Sequence, residues 1–154
     1  MKTAIECSLR WMIRRDYPQV LDIENRCFRS PWTEEDFIGH MKQRNIIGIV
    51  AESNEAIVGY VVYMLEKDTL ALLNLAVDPS HQRCGVASRI MDKMKHKLNQ
   101  QRRIKIVDEV REGNLPMQLF LRSQGFVCES TIKCPFDDCD EDAYRFVYRL
   151  EWNS

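Results

Sequence analysis

The chain has 154 residues, 45% hydrophobic and 29% charged, and its 22 basic residues offset 23 acidic ones to a formal net charge of −1. A chain of this size buries about two-thirds of its unfolded surface in one ordinary core, so a single domain over residues 1–154 is expected. Near-neutral, interspersed charge argues against a general nucleic-acid binder, which needs a basic face.

Leu9, Trp11 and Ile13 alternate with Arg10, Met12 and Arg14, the period of a first strand with one face more polar. Asp16 is placed to cap a helix with Pro18 in its first turn, and Val20, Leu21, Glu24 and Cys27 follow at helical spacing. Pro31 interrupts the chain. Thr33, followed by Glu34, Glu35 and Asp36, starts a second helix to about Lys42, with acidic residues at the positive end of the helix dipole. Residues 46–52 and 57–66 predict two antiparallel strands joined at Ser53-Asn54-Glu55, the second apolar on both faces and therefore central. Residues 69–77 continue as another such strand.

From Val86 to Asn99 a helix is predicted, with Val86, Ile90, Met94 and Leu98 as its buried stripe. Arg89, Lys93 and Lys97 face elsewhere, as a solvated face or in part as contacts for a phosphate. Residues 103–110 read as a strand parallel to the one before it, because the intervening helix supplies a crossover of the right length. Pro116 to Gln124 predicts a short helix stopped by Gly125, and 126–134 and 143–152 a closing pair of strands around an acidic loop. The order is β-α-α-β-β-β-α-β-α-β-β, a mixed α/β (α+β) arrangement.

The opening Met1-Lys2-Thr3-Ala4-Ile5-Glu6-Cys7 lacks the sustained apolar core of a signal peptide, and no later run approaches the length that spans a bilayer. A cytoplasmic protein without a membrane partner is expected. Cys7, Cys27, Cys84, Cys128, Cys134 and Cys139 contain no C-x-x-C pair, so they read as reduced thiols and no metal site is expected.

Between the strand ending at Val77-Asp78-Pro79 and the helix from Val86 stands Gln82-Arg83-Cys84-Gly85-Val86-Ala87. Amides in a helix's first turn lack internal partners, and the helix dipole adds positive charge there, so a pyrophosphate can be held without a lysine. Gly85 permits unusual backbone angles and close approach, and the small side chain of Ala87 leaves the amide row accessible. Cys84, beside that row, is expected to be a reactive thiol protected by a bound anion.

These motifs resemble the GNAT superfamily of acetyl-coenzyme A dependent N-acetyltransferases, whose pyrophosphate loop reads Q/R-x-x-G-x-G/A after a strand ending V-D-P. The likeness runs from about Leu9 to Trp152. Phe28-Arg29-Ser30-Pro31-Trp32-Thr33, Asn74-Leu75-Ala76-Val77-Asp78-Pro79, Glu109-Val110-Arg111 with Asn114, and Gly125-Phe126 are similar to the branch that acetylates ribosomal-protein alanine. The resemblance implies a mixed, mostly antiparallel sheet of six to seven strands, with one parallel pair splayed at the coenzyme site and helices on both faces. It implies acetyl-CoA as co-substrate, with Arg83, Cys84, Gly85, Val86, Ala87 and Ser88 at the pyrophosphate and main-chain groups of Leu75, Ala76 and Val77 along the pantetheine arm. Core packing would also select apolar residues at 75–77.

Acetyl transfer needs a neutral amine, and an α-amine is about one-tenth neutral at pH 7 whereas lysine is neutral roughly once in 2,500 molecules. A carboxylate accepting a proton, directly or through water, therefore suits an α-amine. By resemblance that carboxylate is Glu109 and the coenzyme-contacting asparagine is Asn114. Their structural alternatives are a surface glutamate pairing with Arg111 or Lys105, and a helix cap before Pro116. The tyrosine that the family places four residues before Gly-Phe, to protonate the leaving thiolate, is here Leu121, with Tyr144 and Tyr148 as conceivable substitutes. The expected acceptor is a protein N-terminus, with a small amine or polyamine as the alternative, and the missing tyrosine leaves open a non-catalytic acyl-CoA-binding module. The acidic run Asp137-Asp138-Cys139-Asp140-Glu141-Asp142 would attract a basic acceptor or form a solvated loop. Trp32 would wall the acceptor groove or pack over the first helix. Either a monomer or a homodimer fits.

Overall fold

The computed structural model describes residues 4–137 and 140–151. Seven strands form a sheet in the order β1-β2-β3-β4-β5-β7-β6, and the chain divides into two compact units, Met1–Leu65 with Leu73–Lys93 and Glu66–Leu72 with Met94–Ser154.

In the first unit, β1 (Ser8–Trp11), β2 (Ile46–Ser53) and β3 (Ala56–Leu65) pair antiparallel. The β2–β3 hairpin closes through Asn54 and Glu55, both at positive φ (51° and 65°), as a tight two-residue turn requires. β1 is shorter than its alternation suggests. Met12, just past it, is the buried residue, whereas Trp11 is 73% exposed, so the predicted apolar face is reversed there. A short 3-10 turn at Arg14–Asp16 leads into α1 (Tyr17–Cys27). Asp16 does not cap that helix with its side chain. Its carboxylate instead accepts from the Arg10 guanidinium at 2.7 and 2.9 Å and from the Ile13 amide at 2.9 Å. α2 (Glu34–Met41) starts as expected, the Thr33 hydroxyl accepting from the Asp36 amide and the Asp36 carboxylate from the Thr33 amide. Val20, Ile23, Phe37, Ile46, Val50, Tyr60, Val62 and Ala76 form the core of this unit.

β4 (Thr69–Val77) begins in the second unit and ends in the first, and α3 (Val86–His96) begins in the first. A Cβ on Gly59 would stand 2.9 Å from Cγ1 of Val86 and 3.1 Å from the Ala76 carbonyl oxygen, so α3 starts against β3 where a side chain is missing. Tyr60, next along the strand, reaches α1 instead. Neighbouring strand residues point to opposite faces, so α1 and the start of α3 cover opposite faces of β3. Val86, Ile90, Met94 and Leu98 are all buried, as the stripe predicts. The helix stops at His96, three residues early, in turns closed by Lys97 and Leu98 amides.

In the second unit, β5 (Lys105–Arg111) runs parallel to β4 and antiparallel to β7 (Ala143–Arg149), which pairs antiparallel with β6 (Val127–Ile132). α4 (Leu115–Ser123) carries Pro116 in its first turn, where the missing amide hydrogen is no loss. Gly125 at φ +92° ends it, and a Cβ there would meet the Tyr148 ring at 3.4 Å. One cysteine departs from expectation: Cys134 is disulfide-bonded, while Cys7, Cys27, Cys84 and Cys128 are free. Cys139 and Trp152 lie outside the described residues.

Candidate active site

The loop that joins β4 to α3 is built on the first unit. The Asp78 carboxylate accepts from the Ser80 amide and hydroxyl, both at 3.1 Å, and from Arg26 at 3.0 Å, fixing a short 3-10 turn at Pro79–His81. Arg83 (φ 64°) and Gly85 (φ 82°) are both left-handed and flank the buried Cys84, whose thiol turns to the Gln82 carbonyl at 3.6 Å. The first intrahelical bond runs from the Arg89 amide to the Gly85 carbonyl at 3.0 Å. The amides of Gly85, Val86 and Ala87 therefore precede the helical ladder, and none has a backbone acceptor among the described residues. Gly85 is exposed, Ala87 is half-buried and Val86 is buried, so an anion can approach the row at its two ends. A diphosphate fits this arrangement.

Leu75 and Ala76 are buried and Val77 is half-buried. The Val77 carbonyl accepts from the Cys27 thiol and the Gln82 side-chain amide, each at 3.3 Å. Burial pushes the Cys27 thiol up. Bonded to Asn74, the residue before Leu75, is a group that the sequence does not single out for chemistry. The Glu24 carboxylate, 2% exposed, accepts from the Tyr60 hydroxyl, the Asn74 amide and, at 3.0 Å, the Trp32 backbone amide. Burial raises its pKa, against the lowering effect of those three donors, and burial together with the Glu24 charge pushes the Tyr60 hydroxyl far up. The available signal was a carboxylate on an apolar helical stripe. Trp32 packs, but its ring stacks on His40 at 4.3 Å and tilts on Phe37 at 6.1 Å, both on α2 rather than on the first helix.

In the second unit, the parallel ladder runs from Thr69↔Lys105 to Leu72↔Asp108 and ends, although β4 continues to Val77 and β5 to Arg111. Glu109 is the first β5 residue past that point. It pairs neither with Arg111 nor with Lys105 but with Arg145 at 3.5 Å, directly across on β7, and both side chains are partly exposed. Arg111 is held elsewhere, by Glu141 at 3.3 Å and over the Phe136 ring at 3.7 Å. Glu141 also accepts from the Gly113 amide at 2.9 Å, and Asp142 from the Cys134 amide at 3.1 Å, so part of the acidic run is neutralised locally. Asp138 and Cys139 of that run lie outside the described residues. Asn114 caps α4, its side chain accepting from the Met117 amide at 3.3 Å. Leu121 is fully buried. The Tyr148 ring packs on Phe126 at 5.6 Å and beneath Lys95 at 4.6 Å, the ordinary role of a strand aromatic.

Among the described residues, no group of three or more His, Cys, Asp or Glu side chains is placed to hold a metal, and no helix is long and apolar enough to cross a membrane.

The first unit thus carries an amide row after a V-D-P strand, and the second a parallel ladder that ends at Leu72↔Asp108 with a carboxylate just past it. Residues 17–126 match the Acetyltransferase (GNAT) family, and the chain belongs to that family. It is an acetyl-CoA-dependent N-acetyltransferase. It is similar to the [Ribosomal protein bS18]-alanine N-acetyltransferase of Escherichia coli strain K12, 28% identical over 131 residues that cover 83% of this chain and 87% of the relative. The crystal structure of the Escherichia coli ribosomal-protein-S18-alanine N-acetyltransferase superposes with a TM-score of 0.84 at 22% identity, covering 97% of both chains. That of Ard1 from Thermoplasma volcanium gives 0.85 at 20% identity, over 96% of this chain and 100% of that one. The expected fold is thus borne out, and the non-catalytic alternative is disfavoured.

Proposed function

We propose that this enzyme moves acetyl from acetyl-CoA to the α-amine of a protein N-terminus, an alanine in the first instance, by direct attack in a ternary complex. The carrying observation is the exposed carboxylate of Glu109 at the end of the β4–β5 ladder. An α-amine needs only about 1.4 kcal/mol to become neutral at pH 7, whereas lysine needs nearly 5, so one modest base serves the first more easily than the second. The matched bS18-alanine enzyme supports the same acceptor.

In this reading the amides of residues 83–88 grip the diphosphate, main-chain groups of Leu75, Ala76 and Val77 align the pantetheine arm as an added strand would, and Asn114 touches the coenzyme from its capping position. An amide near the arm polarises the thioester carbonyl. Glu109 takes the amine proton as nitrogen attacks. The enzyme works as one catalytic domain over residues 1–154, in the cytoplasm, as a monomer or homodimer and without direct contact to nucleic acid.

A synthetic peptide with a free N-terminal alanine and one internal lysine, incubated with enzyme and acetyl-CoA and fragmented by mass spectrometry, tests the reading. Acetyl on the alanine nitrogen is expected. Acetyl on the lysine, or none on either amine, contradicts it.

A further inference from the structure

Transfer from a thioester to an amine makes two protonic demands at once: the amine sheds a proton, and the departing sulfur must gain one. Glu109 answers the first in the reading above, on which this inference rests. On α4 the side chain at 121 is a fully buried leucine, with no proton to give.

Asp108 stands immediately before Glu109. It is the β5 residue in the last register pair with β4, opposite Leu72, so it lies where the parallel ladder opens. Across β7 it faces Phe146, and its strand-mate Ile106 faces Tyr148. Residues two apart share a face, so Asp108 belongs to the face on which Tyr148 meets Gly125, Phe126 and Lys95, the ends of α4 and α3. Glu109, paired across with Arg145, belongs to the opposite face. Two successive carboxyls at the opening thus serve opposite sides of the strand.

Their surroundings differ as sharply. Glu109 is exposed beside a guanidinium. Asp108 is half-buried, and no described residue gives its carboxyl a hydrogen bond or an ion pair. Burial, helped by the Glu109 charge, pushes its pKa up to about 7. Glu109 follows it on its own strand, Tyr144 and Tyr148 of β7 share its face, and Lys95 of α3 lies over the Tyr148 ring. A carboxyl partly withdrawn from water without a partner costs stability. Carboxyls in contrasting surroundings can divide the acid and base roles between them.

We propose that Asp108 is the catalytic proton donor to the coenzyme A thiolate, in the place of the absent tyrosine. As the amine nitrogen bonds to the acetyl carbon and its proton passes to Glu109, the carbon–sulfur bond breaks with its electron pair staying on sulfur. Asp108 then delivers its proton to sulfur. Amine and acetyl-CoA become amide and free thiol, and the pair is reset when Glu109 releases a proton to water and Asp108 takes one up.

The test compares wild type, Asp108→Asn, Leu121→Tyr and the double variant for thiol release from acetyl-CoA with an alanine-led peptide, alongside melting temperature and calorimetric coenzyme affinity. Asp108→Asn is expected to lower kcat about 100-fold, with unchanged coenzyme affinity and an equal or higher melting temperature. Leu121→Tyr in that background is expected to restore at least tenfold, a rescue that a merely structural role would not allow. Activity of Asp108→Asn within threefold of wild type overturns the proposal. So does a loss that follows a lowered melting temperature and is not rescued by tyrosine. Asp108→Leu gives the same reading if the asparagine variant fails to fold. Wild-type enzyme that binds acetyl-CoA yet releases no thiol would instead overturn the reading of the acceptor, and this inference with it.

Discussion

The Tyr60 hydroxyl donates to the buried carboxylate of Glu24, and Asn74 and the Trp32 amide complete the set of donors around it. One side chain thereby ties α1, the Ser30-Pro31-Trp32 turn, β3 and β4 together beside Leu75. Glu24→Ala strands three donors where water is largely excluded and is expected to lose about 3 kcal/mol of stability in urea denaturation. Glu24→Gln keeps a carbonyl acceptor and should lose clearly less. Equal losses would mean that the carboxylate fills space rather than organising donors.

Asp16 makes the protein sensitive to acid. Hydrogen bonds from Arg10, reinforced by the Ile13 amide, hold its carboxyl below the ordinary value of 3.8 despite burial. A depressed folded-state pKa means that the unfolded chain binds the proton first. The stabilisation is therefore present above about pH 4 and is lost as pH falls through the lower folded value. Asp16→Asn should remove about 2 kcal/mol at pH 7 and progressively less below pH 4. Melting curves across that range check the convergence; a gap that widens toward acid would reverse the sign.

Gly59 sets how closely α3 approaches the sheet. A methyl group there would overlap Val86 at 2.9 Å and press on the Ala76 carbonyl oxygen at 3.1 Å. Gly59→Ala is expected to destabilise by about 2 kcal/mol. It should also weaken acetyl-CoA binding, because it shifts the amide row and β4 together. Calorimetry showing normal affinity in a destabilised variant would separate the helix start from the coenzyme.

Glu109→Gln keeps shape and hydrogen bonding but cannot take a proton. Thiol release with an alanine-led peptide should fall about 100-fold while coenzyme affinity stays within a factor of two. Removal of the exposed Arg145 contact should itself matter little to stability, less than about 1 kcal/mol. A matching loss in Arg145→Ala and Glu109→Gln would assign the effect to the ion pair.

The strand and helix order was legible because periodicity is local: β2, β3, the Thr33 capping box and the stripe Val86, Ile90, Met94 and Leu98 all stand where spacing puts them. What escaped was long-range. Asp16 reads as a cap until Arg10 arrives to claim it, and Trp11 reads as core until Met12 is found on the buried side. Glu109 stands out by motif alone, and its partner is Arg145, 36 residues away, rather than a neighbour in sequence. Glu24 and Asp108 were passed over for the same reason, since a carboxylate's burial depends on elements folded over it.

A crystal structure with coenzyme A joined through an acetyl bridge to an alanine-led peptide tests the central claim most directly. The diphosphate is expected about 3 Å from the amides of Gly85, Val86 and Ala87, with the Glu109 carboxylate in reach of the alanine nitrogen directly or through one water. A diphosphate bound away from those amides, or a Glu109 carboxylate still turned to Arg145 with the nitrogen out of its reach, would contradict the account.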